Sequence, residues 1–379
     1  MVIAIDASRA VNESAGIGRY TKELVERLLK TEKDHKFILI FTYWRADEDK
    51  EKRIKSYGQA NVTIRTAKIP GTLKETLWRG KSRLYNGLYQ GADVLLAPSF
   101  LEYKNGLKLP QVTIIHDMTT FLFPDQRGKE VSTRLSNQTS TAIKGSKRII
   151  AISKNTKKDI IEVCKVESQS STGSDCPERE SNGQKLKVIY PGLTSFNKVS
   201  PNLPKGLLAK KYILFTGTIE PRKNLKNLIA AYDLLPIKLQ HKYPLVVTGS
   251  IGWNTSNVEK DEKIKYLGRV SDEDLAKLYM EAAVFVYPSL YEGFGLPILE
   301  AMKEGTPVIT SNRSSMPEAA GTAGVLINPD EPKSISGGLQ AVLEGKISRS
   351  QMVKAGREQV KKFSWEKCAK EVLDVLEDI

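Results

Sequence analysis

The chain has 379 residues, 40% hydrophobic and 27% charged, with a net charge of +14. That length exceeds one typical core and predicts two domains, and the composition is that of a soluble globular protein. The longest apolar run, Phe37 to Trp44, contains a threonine and is far too short to span a bilayer as a helix, which excludes a membrane-spanning helix as the reading.

No basic-then-apolar leader precedes the first apolar segment, and Cys164, Cys176 and Cys368 cannot all pair and show no ligand spacing. The expectation is a reduced, cytoplasmic protein. The charge is concentrated in residues 1–200, where 34 Lys and Arg face 22 Asp and Glu. A basic first half points to an anionic partner or to a charged face kept for solubility.

Val2–Ile5 reads as a strand ending at Asp6-Ala7-Ser8-Arg9. Gly16-Ile17-Gly18-Arg19-Tyr20 then opens a helix whose Leu24, Leu28 and Leu29 share one face. A strand, a glycine turn and a helix N-terminus suit a phosphate. The third glycine of a dinucleotide fingerprint is missing, and no acidic residue ends a neighbouring second strand, which argues against a dehydrogenase. Further strands are expected at Phe37–Phe41, Val62–Arg65, Val94–Ala97 and Val112–His116, alternating with helices as in a parallel α/β sheet. Between Lys50 and Arg83 ten basic residues face two acidic ones, with Leu73, Leu77, Trp78, Leu84 and Tyr85 at near-helical spacing. Such a helix either lies on an anionic membrane or packs on the core with a solvated basic side.

His116-Asp117 ends an apolar strand, and the chain has only three histidines. Ile149–Ser153 reads as a strand and Lys154–Cys164 as a helix, while Glu167–Gln184, whose one apolar residue is Cys176, reads as a polar surface loop. Val188–Gly192 closes the first domain, and 196–211 is expected to be a linker. A second alternation begins at Tyr212–Phe215 and leads into Gly217-Thr218-Ile219-Glu220-Pro221-Arg222-Lys223-Asn224. Two cations and free N–H groups at a helix start meet the needs of a diphosphate. Leu245–Gly249 and Ile264–Val270 are further strand-to-loop units. Val284–Tyr287 reads as a buried strand, followed by Tyr291-Glu292-Gly293-Phe294-Gly295-Leu296-Pro297-Ile298-Leu299-Glu300-Ala301-Met302. The glycines Gly293 and Gly295 permit close backbone approach, Pro297 suits a helix start, and Glu292 and Glu300 are spaced to face one ligand. A strand is expected at Pro307–Thr310, a helix start at Ser314–Glu318, and a last amphipathic helix at Glu366–Leu376 after Phe363-Ser364-Trp365.

Two glutamates separated by seven residues, with Gly293-Phe294-Gly295 after the first, resemble the signature of retaining nucleotide-sugar glycosyltransferases of family four, which have the GT-B fold. The likeness extends in family order through Asp6, Gly16–Tyr20, His116-Asp117, Gly217–Asn224, Gly268–Val270 and Phe363–Trp365, and is nearest to bacterial mannosyltransferase-type members of polysaccharide assembly. It implies two Rossmann-like domains facing a cleft: residues 1–195 for the acceptor and 212–362 for the donor, with 363–379 crossing back to the first. Lys223 and Arg222 would neutralise the departing diphosphate, Glu300 would hold the ribose, and Val270 would pack on the base. Glu292, Gly293, Phe294, Gly295 and Leu296 would hold sugar hydroxyls and phosphate, as Gly217 and the Gly16–Gly18 turn would hold diphosphate. His116 would touch the donor sugar.

The resemblance implies no cofactor and no metal, and no Asp-x-Asp metal motif is present. GDP-mannose is the first donor expected and a UDP-glucose type the second, with a glycan or lipid-linked acceptor and peripheral contact with the inner face of the cytoplasmic membrane. Thr218 stands where many members carry arginine. Epimerase or phosphorylase chemistry on the same fold is the alternative. A nucleic-acid binder is the weaker one, because the basic residues carry no recognisable binding signature.

Overall fold

The computed structural model describes the chain apart from residues 14–15, 32–33, 46, 70–82, 171–184, 197 and 253–262. The expected polar loop therefore lies largely outside the described residues, as do Leu73, Leu77 and Trp78 of the expected basic helix. The chain divides into two compact units. The first takes in Met1–Pro124, Gly128–Gly192 and Ser364–Ile379, and the second Asp125–Arg127 and Leu193–Phe363.

The first unit is built on seven strands: β1 (Val2–Asp6), β2 (Lys36–Tyr43), β3 (Val62–Lys68), β4 (Val94–Ala97), β5 (Gln111–Ile115), β6 (Arg148–Ala151) and β7 (Leu186–Val188). They pair in parallel in the order β3-β2-β1-β4-β5-β6-β7. Every residue of β4 and β5 is buried, as expected of strands covered on both faces by helices. The last strand of this sheet, Leu186–Val188, leads into the segment Val188–Gly192 expected to close the first domain. Its ladder runs beside β6 only from Ile149↔Leu186 to Ala151↔Val188, and Pro191 has no N–H to extend it.

The last helix, Trp365–Glu377, belongs to this first unit. Ser364 caps it by accepting from the Lys367 N–H. Trp365, Cys368, Val372 and Leu376 form its buried face, and Arg27 of the helix Ile17–Thr31 pairs with Glu366 at 2.8 Å. A Cβ on Gly192 would overlap the Trp365 backbone, so the chain packs there only as glycine.

The second unit has six strands: β8 (Ile213–Thr216), β9 (Leu245–Thr248), β10 (Ile264–Tyr266), β11 (Val284–Tyr287), β12 (Val308–Ser311) and β13 (Val325–Ile327). Their order is β10-β9-β8-β11-β12-β13, all parallel. The described residues of the expected linker, 196 and 198–211, belong to this unit: Leu207 is buried, and the Lys210 N–H donates to the Glu281 carbonyl. Both sheets reverse their strand order once, between β1 and β4 and between β8 and β11. The carboxyl ends of strands at such a reversal are where open α/β sheets bind ligands.

Candidate active site

In the second unit the loops after β8 and β11 meet at the reversal point. Gly217 ends β8 at φ +137°, a conformation that disfavours any Cβ. A Cβ on the next-door Gly249 would overlap the Gly217 carbonyl, so two glycines let adjacent strand ends touch. Pro221 then starts a single 3-10 turn, Pro221–Lys223, that places both cations. Asn224 follows in the left-handed region at φ +60°. Its amide donates to the carbonyls of Pro288 (3.1 Å) and Pro329 (2.7 Å), and the Leu290 N–H donates to the Arg222 carbonyl at 2.8 Å. These bonds lock the two loops together.

The side chains converge on Glu292. Lys223 Nζ lies 2.7 Å from its Oε1 and Arg222 Nη1 2.7 Å from its Oε2. Arg222 also reaches Glu220 at 2.5 Å and the Tyr291 carbonyl at 2.6 Å. Lys223 Nζ donates to the Tyr287 hydroxyl at 2.6 Å and sits 4.9 Å from that ring's centre. Burial alone would raise the Glu292 pKa, but the two cations more than offset it and hold it at about 2. For Lys223 burial dominates and lowers its pKa; for Arg222 burial is outweighed by Glu292 and Glu220, which raise it. The Glu292 backbone is fixed from β12's loop, since Ser314 and Ser315 hydroxyls donate to its carbonyl at 2.8 and 2.9 Å.

Of the residues expected in this unit, Gly217, Arg222, Lys223 and Glu292 come together. Gly295 (φ +98°) caps the helix Leu296–Lys303, which contains the buried Glu300. Tyr279 donates to Glu300 Oε2 at 3.2 Å. Gly293 does not adopt a positive φ, so of the two glycines only Gly295 uses its freedom. Phe294 is buried and packs edge-on against Phe363 at 5.2 Å. Leu296 is half-buried, and so is Val270, two residues beyond Gly268 at φ +66°. Sequence reasoning missed Tyr287, Glu220 and the Ser314-Ser315 pair. Tyr287 offered one signal: a polar group at the end of an otherwise apolar strand.

His116, Gly16 and Gly18 lie in the first unit. His116 follows β5 directly, and its Nε2 donates to the Pro98 carbonyl at 2.8 Å. Burial lowers its pKa, partly opposed by that bond and by Asp117. Gly16 takes φ +57°, whereas Gly18 lies inside the helix Ile17–Thr31, packed so close to Glu13 that a Cβ would overlap its carbonyl. Around the β1–β4 reversal sits a polar group that the sequence did not reveal. Lys104 pairs with the buried Asp6 at 2.9 Å, and Arg9 pairs with the buried Glu102 at 2.9 Å.

Residues 203–359 match the family model described as glycosyl transferases group 1. The chain is 32% identical over 378 residues to the O-antigen chain mannosyltransferase B of Escherichia coli, covering 95% of each protein. Among solved structures it resembles a sucrose-phosphate synthase from Thermosynechococcus elongatus, with a TM-score of 0.69 at 20% identity over 100% of this chain and 98% of that one. It also resembles WaaG, a glycosyltransferase involved in lipopolysaccharide biosynthesis, with a TM-score of 0.64 at 14% identity over 99% of each.

Proposed function

Because the chain belongs to the group 1 glycosyl transferases, with Rossmann-like units of the GT-B type, we propose that it moves a hexose from a nucleoside-diphosphate sugar to a glycan or lipid-linked acceptor with retention of configuration. Mannose from GDP-mannose is the first choice, supported by the mannosyltransferase among its relatives, and a UDP-glucose type the second. The observation that carries the reading is the cluster of Lys223, Arg222 and Glu292 at the β8–β11 reversal.

In this mechanism the bond from the anomeric carbon to the phosphate oxygen breaks, and its electron pair stays with the departing diphosphate. Lys223, Arg222 and the amides at the start of the helix Leu296–Lys303 are preorganised against that growing charge. The acceptor hydroxyl attacks the same face of the sugar, and its proton passes to the departing phosphate oxygen. Glu292 stands in for the diphosphate in the ligand-free protein. When the donor binds, it exchanges its cations for sugar hydroxyls. Glu300 holds the ribose, Val270 packs on the base, Gly217 and the Gly16–Gly18 turn adjoin the diphosphate, and His116 accepts from a donor-sugar hydroxyl. Because the chain's own cations meet the leaving charge, turnover needs no metal ion, and addition of a chelator should leave it intact.

The relative and family model are transferases, which favours transfer over epimerisation, phosphorolysis or nucleic-acid binding. Among the described residues no helix is long and apolar enough to cross a membrane. The basic N-terminal half would instead meet an anionic bilayer peripherally at its cytoplasmic face. Screening nucleotide sugars for binding and slow donor hydrolysis tests the donor assignment. If no nucleotide sugar binds, the reading fails. If the protein stays in the supernatant with anionic liposomes at low salt, the membrane contact is wrong.

A further inference from the structure

The His116 ring is clamped from two sides within the first unit. On one side its Nε2 donates to the Pro98 carbonyl at 2.8 Å. That carbonyl belongs to a turn pinned by a chain of side chains: the Ser99 hydroxyl donates to Glu102 at 2.5 Å, and Glu102 accepts from Arg9 Nε at 2.9 Å. On the other side Tyr20 meets the imidazole edge-on, with ring centres 4.7 Å apart and planes at 87°. Tyr20 is itself buried, backed by Trp365 of the last helix at 5.2 Å. Among the described residues its hydroxyl touches only Cys368 Sγ, at 3.8 Å, so the ring rather than the hydroxyl makes the clamp.

A carbonyl can only accept, so Nε2 must carry the proton. His116 is half-buried, and among the described residues no hydrogen bond engages Nδ1, which the Nε2–H form leaves as an acceptor. From this geometry we propose that Tyr20 is a positioning residue: backed by the C-terminal helix, it holds His116 in the Nε2–H form with Nδ1 presented as an acceptor. Such a ring selects a ligand group that donates a hydrogen bond. A sugar hydroxyl qualifies, and a fully ionised phosphate does not. This rests on the reading of His116 as a donor-sugar contact.

The direct test is nitrogen-15 NMR of the full ligand-free chain, labelled at histidine, with His116 assigned by the signal lost in His116→Gln. The expected result is a pyrrole-type Nε2 and a pyridine-type Nδ1 at pH 7. An Nδ1–H form or a doubly protonated ring would overturn the proposal whatever the enzyme's substrate. The second arm compares Tyr20→Phe with Tyr20→Leu. Tyr20→Phe should keep both the tautomer and turnover. Tyr20→Leu should mix the tautomers and lower kcat between about 10- and 100-fold, as small misplacements at a reacting centre do, with nucleoside-diphosphate affinity little changed. Equal damage in the two variants would show that the hydroxyl, not the ring, matters and would overturn it, as would full kcat in Tyr20→Leu. If no nucleotide sugar is turned over, the functional reading fails while the tautomer result still decides this one.

Discussion

Lys223 Nζ lies 2.7 Å from Glu292 Oε1, so the cation assigned to the diphosphate is already neutralised by a carboxylate of its own unit. Sixty-nine residues separate the two in sequence. Arg222 binds the other oxygen of the same carboxylate at 2.7 Å. A donor must therefore compete with Glu292, and the competition has measurable consequences.

Replacing Glu292 by Gln should split binding from turnover. With the internal anion gone, affinity for a nucleoside diphosphate without its sugar should rise about tenfold, equivalent to ~1.4 kcal/mol. Transfer should fall at the same time, because the hydroxyl contact is weakened. Calorimetric titration with GDP and UDP, beside steady-state kinetics, checks both. A drop in nucleoside-diphosphate affinity would contradict the competition.

Lys223→Ala should lower turnover by a factor on the order of 10²–10³, the usual loss when one preorganised donor is removed. Far-ultraviolet circular dichroism should be unchanged, since Arg222 still pairs with the buried Glu292. Undiminished kcat in this variant would remove the leaving-group assignment.

The low Glu292 pKa predicts an acid limb in stability. Its carboxylate has an ordinary value of 4.5 and is held at about 2 in the folded protein. The folded state therefore binds this proton less readily than the unfolded chain. The stabilisation is fully present above about pH 4.5 and is lost as pH falls toward 2. Urea denaturation at a series of pH values should show a shallower decline over that window in Glu292→Gln than in the unmodified protein. Identical slopes would count against the ion cluster.

Two glycines should respond oppositely to alanine. Gly249 has φ +137°, and a Cβ there would overlap the Gly217 carbonyl, so Gly249→Ala should destabilise by at least about 2 kcal/mol. Gly337 lies in the helix Pro332–Leu343 with open space around the missing Cβ, so Gly337→Ala should stabilise by ~0.5–1 kcal/mol. Denaturation midpoints of the two variants, compared with the unmodified chain, decide both.

The strands were the most legible part of the fold. Val94–Ala97 and Val284–Tyr287 form with the bounds their apolar runs suggest, because strands covered on both faces read as continuous apolar runs. The short helix Ser8–Asn12 was not legible, since five residues carry too little periodicity to register. At the site, sequence supplied Arg222, Lys223, Glu292 and Glu300 as separate ligand groups. It could not show that Glu292 faces the cations rather than open solvent, because that depends on how the loops after β8 and β11 are tied through Asn224. Tyr20 illustrates the same limit. Its partners His116 and Trp365 lie far along the chain, and no local pattern marks an aromatic residue as a clamp.

The stereochemistry of the product tests the proposed transfer most directly. The enzyme would be incubated with GDP-mannose, and with UDP-glucose in parallel, using methyl α-mannoside as a simple acceptor probe. The anomeric configuration of the new linkage would then be read by NMR. The α-configuration of the donor, preserved in the product, is the predicted result; a β-linked product would contradict same-face attack on a diphosphate held by Lys223 and Arg222.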